Sequence, residues 1–143
     1  MEYRRTGDRI IVRLDEGEEL IASLKALCER ERVSAAWVSG CGFTTRMTLR
    51  VYDLEKDEFS YPTLAGAMEI TSITGNVLPV EGVLTPHIHI AAGDYDGRVR
   101  GGHLVSCDVV ATAELLLTVL DLPLYRAASE DPKQHLLCFP PEA

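Results

Sequence analysis

The sequence predicts an α+β fold: mostly antiparallel β-sheet with one or two packed helices, in a single domain over residues 1–143. Three observations carry this. One segment has clear helical periodicity, with Leu20, Ile21, Leu24, Leu27 and Cys28 on one face. Much of the rest is short, β-branched or alternating, as half-buried strands are. Two such runs fold back across turn-forming residues, at 53–58 and 93–97, so sequence neighbours are expected to pair antiparallel.

Taken in order, Asp8–Leu14 (DRIIVRL) reads as the first strand. An acidic cluster at 15–19 leads into the helical segment, which the pattern carries to about Val33. Acidic residues at its start and Arg30 and Arg32 at its end complement the helix dipole. Ala35, Ala36 and Val38 suggest a buried strand, and Gly40 and Gly42 a bend or a close backbone approach. Arg46–Asp53 alternates as a half-exposed strand, and Phe59 and Tyr61 belong to its return strand. After a connection at 62–66, Ala67–Val77 reads as a long strand. Met68, Ile70, Ser72 and Thr74 are expected on one face and Glu69, Thr71 and Ile73 on the other. Ser106–Leu120 fits helix by its alanine content and strand by its alternation. Tyr125–Ala128 reads as an edge element, 129–135 as a polar loop or short helical turn, and 136–139 as a last strand.

The chemistry concentrates in Glu81–Leu104, which holds three of the four histidines: His87, His89 and His103. His87 and His89 stand two apart in an apolar, β-branched setting, so a strand puts both imidazoles on one face. Gly93-Asp94-Tyr95-Asp96-Gly97 reads as a turn, and folding about Tyr95 sets His103 opposite His87. Three neutral imidazoles with an open fourth position suit a divalent transition metal, zinc above all. A slip of one residue would turn His103 to the other face. His135 lies in the polar loop and reads as a surface residue. Glu69 is a carboxylate in an otherwise uncharged strand. It faces solvent, pairs with an arginine or belongs to a site, because burial without a partner is costly.

The net charge of −8 and a pI near 4.9 argue against broad, sequence-independent nucleic-acid binding, which runs on clustered Lys and Arg. Local basic patches remain, at Arg4, Arg5 and Arg9 and at Arg98 and Arg100. No apolar run approaches the ~20 residues of a membrane span. The N-terminus reads as mature protein, since it has early positive charge but no long apolar core. Cys28, Cys41, Cys107 and Cys138 are widely spaced among apolar or small neighbours. They read as buried free thiols of a cytoplasmic protein.

The order of motifs is distinctive. It comprises G-E-E-L at 17–20, S-G-C-G at 39–42, G-A-M-E-I-T-S-I-T-G-N at 66–76, H-I-H-I at 87–90, D-G at 96–97, G-G-H-L at 101–104 and A-E at 113–114. Together these resemble the plant and prokaryote conserved (PPC) domain, from about Tyr3 to Phe139. The resemblance implies an antiparallel-rich sheet with packed helices, a homotrimer, and a strand at 111–119. It places zinc ligands at His87, His89 and His103. Plant members carry G-R-F-E-I, linked to partner binding; here the matching positions are Gly66, Ala67, Met68, Glu69 and Ile70. Ala67 in place of the arginine weakens transfer of that chemistry. The AT-hook arm that takes the plant proteins into the minor groove is missing here.

Two functional classes follow. In the first, the histidines hold zinc and the fourth position takes water or a small anionic ligand. Glu69 and Glu114 are then the candidate bases or second partners, and whether the protein is an enzyme stays open. In the second, the chain is a DNA-associated regulatory module using a basic face from Arg4, Arg5, Arg46 and Arg50, with salt-sensitive binding. A cupin fits poorly, because no Glu follows the H-x-H pair at short range.

Overall fold

The computed structural model describes residues 1–131 and 133–141. An N-terminal hairpin of β1 (Glu2–Thr6) and β2 (Arg9–Asp15) is followed by α1 (Leu20–Arg30). Then come β3 (Ala36–Asp53), β4 (Glu58–Ser60), β5 (Thr63–Val80), β6 (Val83–Gly93) and β7 (Val99–Val119). A second hairpin, β8 (Tyr125–Ala128) and β9 (His135–Cys138), completes the order. Among the described residues all strand pairs are antiparallel except β5 with β8. The expectation of a mostly antiparallel sheet with a packed helix is met, with a single helix among the described residues.

The long strands close on themselves: β3 pairs with β5 and β7, and β6 bridges β5 to β7. Closure leaves one inner and one outer face. Ile10, Val12 and Leu14 of β2, Ile88 and Ile90 of β6, and Leu115 and Leu117 of β7 fill the inner side, all at most 3% exposed. Leu20, Leu24, Leu27 and Cys28 bury the predicted stripe of α1 in the same core, against β6 and β7.

Glu19 shows how the acidic cluster acts. It is the N-cap of α1, and its carboxylate accepts from Ile21 N (3.1 Å) and Ala22 N (2.7 Å). The same carboxylate accepts from Cys107 N of β7 at 2.9 Å, tying helix to sheet. Glu19→Ala is expected to destabilise the domain by about 1–2 kcal/mol, read by urea unfolding. A change within experimental error would show the cap to be dispensable.

Several expectations need correction. The helix ends at Arg30 because Arg32 takes a left-handed conformation (φ 53°) and Val33 N donates to Cys28 O. β1 was not foreseen: its charged, mostly exposed residues lack any apolar alternation and pair as an edge strand. The segments read as two strands around Gly40 are one strand, β3, bent at bulges. A Cβ on Gly40 would meet Glu114 O at 2.4 Å, so close backbone approach is the correct reading there. Opposite that bend β5 slips register between Ile70 and Ser72. Ile70 and Ile73 therefore both face inward, not Ile70 and Ser72, and Thr71 is exposed. The ambiguous segment 106–120 is strand, within β7. Cys41 is exposed and Cys138 partly so, against the expectation of four buried thiols; none is bridged. Burial pushes the Cys28 thiol up to about 12 and that of Cys107 to about 11, so both stay protonated at neutral pH. Within the polar loop 129–135, position 132 lies outside the described residues, as do the last two residues of the chain.

Candidate metal centre

The β6–β7 hairpin turns where expected. Asp94 Oδ1 accepts from Asp96 N and Arg98 N at 3.0 Å each, and Gly97 N donates to Asp94 O with Gly97 at φ 75°. The register differs by two residues from a fold about Tyr95: His103 pairs with His89, not His87. Two residues is one full period of a strand, so His103 keeps its face. Ile88 and Ile90 point into the core while His87 and His89 point outward.

The three rings gather as the spacing implied. Ring centroids are 4.9 Å apart for His87–His103, 5.4 Å for His87–His89 and 5.5 Å for His89–His103. One nitrogen from each ring lies within 4.8 Å of the other two. Zinc held at ~2.0–2.1 Å by each nitrogen sets tetrahedral N–N separations of roughly 3.3 Å, inside the 4.8 Å within which the three nitrogens lie here. Among the described residues no carboxylate or thiol joins this set. Three protein donors are one fewer than a closed tetrahedral zinc shell takes.

The electrostatics favour metal-ready imidazoles. Desolvation first, then the charges of Arg126, His89 and Arg50, lower His87 to about 4. Desolvation, Arg50, His87, His89 and Arg126 do the same for His103. Both rings are therefore neutral at pH 7 and no proton needs displacing from them. Unfolded imidazoles titrate near 6.5, so between there and about 4 the unfolded chain binds more protons. Stability of the metal-free protein is thus expected to fall as pH drops through that window. Asp15, Glu18, Glu31, Asp53 and Asp57 all have lowered pKa values, so their contributions disappear only at still lower pH. Melting curves from pH 7 to 5 should show the slope in wild type and a flatter one in H87Q/H103Q. Equal slopes would contradict it.

His87 and His103 line a cleft of about 560 Å³ on the outer face. One wall is the β3–β4 hairpin, with Arg50, Tyr52 and Phe59; the other is the β8–β9 hairpin, with Arg126, His135 and Leu136. Arg50 is the cross-strand partner of His103 on β7, and Arg126 donates to Asn76 Oδ1 at 3.1 Å beside His87. His135, read as a surface residue, is exposed yet borders this cleft. Glu69 and Glu114 lie elsewhere. Both are exposed, and they come together with Cys41 and Phe43 at a shallow depression of about 340 Å³ over the bulged region. Neither lines the histidine cleft. Sequence reasoning missed Arg126 as a site residue. Nothing in its spacing links it to His87; only the docking of β8 beside β5 does.

A family model for the Plants and Prokaryotes Conserved (PCC) domain matches residues 1–121. The chain belongs to this family. Among solved structures with the PCC-type fold, the metal-containing protein of Archaeoglobus fulgidus is 31% identical, with a TM-score of 0.82 over 96% of each chain. A Ralstonia eutropha protein provisionally named as DNA-binding is 26% identical, with a TM-score of 0.88 over 96% of each chain. The bifunctional protein GlmU of Synechococcus sp. strain JA-2-3B'a(2-13) is 33% identical over 117 residues. That match takes in 80% of this PCC chain but only 17% of the GlmU chain.

Proposed function

We propose that this PCC-domain protein is a zinc-binding homotrimer whose metal, held by His87, His89 and His103, offers an open position to water or a small ligand. The observation that carries the reading is the convergence of three imidazole nitrogens within 4.8 Å on the β6–β7 hairpin. The metal-containing relative from Archaeoglobus fulgidus, alike over nearly the whole chain, supports it. Zinc in such a setting supplies a Lewis acid that lowers the pKa of bound water and polarises a carbonyl. The chain's own residues add two neutral, desolvated imidazoles and a cleft walled by Phe59, Tyr52 and Leu136. Outward-facing Ile11 and Trp37, 60% and 49% exposed, are apolar surface that neighbouring copies in a trimer would cover. Four unbridged cysteines suit a reducing cytoplasm, and among the described residues no helix is long and apolar enough to cross a membrane.

A DNA-associated role is the second reading, favoured by the name of the Ralstonia eutropha relative. Against it, Arg4, Arg5 and Arg9 are each ion-paired on the surface, to Glu2, Glu31 and Asp8. Arg50 is turned into the cleft. Metal analysis of protein purified without an affinity tag should find about one zinc per chain. Sedimentation should give about three times the 15.7 kDa chain mass. Metal far below one equivalent, together with a salt-sensitive shift of duplex DNA, would replace the first reading by the second.

A further inference from the structure

We infer that the histidine cleft is a receptor for a small carboxylic acid, its carboxylate held between Arg50 and Arg126 and a second oxygen directed to the histidine-bound metal. The inference rests on the zinc reading only for the second oxygen. Two guanidinium groups line the cleft, and among the described residues neither has a carboxylate partner. Arg50 is held from one side: its Cζ sits 4.9 Å from the Phe59 ring centroid, and among the described residues its guanidinium has no ion-pair partner. Arg126 is braced by Asn76 Oδ1 and His135 O, both neutral, and its buried Nε–H has no partner. A partly buried, fully charged guanidinium without a counter-ion is unfavourable, and a bound anion removes that penalty.

Local charge balance points the same way. The other cation of the cleft, Lys133, is neutralised by Asp57 at 2.6 Å. The acid lining it, Asp131, accepts from Lys133 N and Gln134 Nε2 in its own loop. A chain of net charge −8 therefore sets two arginines, without ion-pair partners among the described residues, against the single carboxylate of Asp131 in one cleft, beside the three-histidine cluster. Such a cleft concentrates anions. Arginine's planar fork matches a carboxylate, and the apolar flank of Phe59, Val80, Pro86 and Leu136 suits a short hydrocarbon portion. A duplex phosphate backbone fits less well, because these arginines line a recess between two hairpins rather than a broad outer surface. Arg126 lies beyond residues 1–121, which the family model matches, and reaches the cleft on the β8–β9 hairpin.

The test titrates the zinc-loaded and metal-stripped protein with lactate, with its neutral amide lactamide, and with inorganic phosphate, followed by calorimetry. Lactate should bind and lactamide should not. Arg50→Gln and Arg126→Gln should each weaken lactate by about ten- to a hundredfold while zinc content stays at the wild-type level. Because Arg126 is partly buried, Arg126→Lys, which keeps the charge and loses the fork, and Arg50→Gln carry the test if Arg126→Gln unfolds. Equal lactate affinity in the arginine variants, equal binding of lactamide, or phosphate binding tighter than lactate would each overturn the proposal. Arginine-dependent lactate binding in protein that never takes up zinc would uphold the anion site and defeat the metal reading alone.

Discussion

Zinc binding is expected to collapse in His103→Ala while the domain stays folded. His103 contributes one of three rings to the cluster, and its centroid is 4.9 Å from that of His87 and 5.5 Å from that of His89. Two imidazoles alone leave half of a tetrahedral shell to water, and among the described residues no carboxylate stands ready to substitute. Loss of supporting residues around a metal typically lowers affinity ten- to a hundredfold, so loss of a ligand should exceed about a hundredfold. Stability should change little, because His103 points to the outer face while its neighbours Leu104 and Cys107 fill the core. A change within about 1 kcal/mol is the expectation for such a position. Competition against a chromophoric chelator reads the affinity, and circular dichroism with urea reads the fold. A His103→Ala protein that holds zinc as tightly as wild type would remove the three-histidine site.

Gly75→Ala is expected to cost more than about 3 kcal/mol and to disturb the metal site from behind. Gly75 sits in β5 opposite Ile88, between the residues paired to His87 and His89. Its φ is 155°, at the edge of the region that side chains rarely adopt. A Cβ there would lie 2.0 Å from the carbonyl oxygen of His87 and 2.9 Å from Ile88 Cα. Both obstacles are backbone, so relief requires β5 and β6 to separate, breaking ladder bonds and pulling the fully buried Ile88 from the core. Urea unfolding should show the loss, and zinc affinity in the remaining folded fraction should fall because His87 moves with its carbonyl. A midpoint close to wild type would mean that the strands accommodate the methyl group and that the tight approach has no energetic weight.

The three-histidine cluster was legible in the sequence because a β-hairpin is a local object. Its side-chain period is two and its turn chemistry sits in Gly93–Gly97, so only the register was uncertain. The helix was equally legible from Leu20, Leu24, Leu27 and Cys28, whose 3.6-residue spacing is also local. Where local signals conflicted, the reading failed or stayed open. Ser106–Leu120 has helix-forming alanines, and pairing with β2 and β3 makes it strand, as tertiary contacts commonly override propensity. The inward turn of Ile73 depends on an extra residue that β5 carries after Ile70 against both neighbours, β6 and β3, a bulge that side-chain alternation does not announce.

The helix, the two hairpins and the shared face of His87 and His89 are readable from the chain, since each rests on spacing or turn residues within a short stretch; that His103 joins that face depends on the pairing register. Tertiary structure alone decided the walls of the cleft. It brought Arg50 from β3 and Arg126 from β8 to the same imidazoles, and it carried Glu69 and Glu114 to another place. Those placements depend on strand order, on bulges and on the docking of the last hairpin. They are set by burial of surfaces far apart in the chain, for which no short stretch of residues carries a signal.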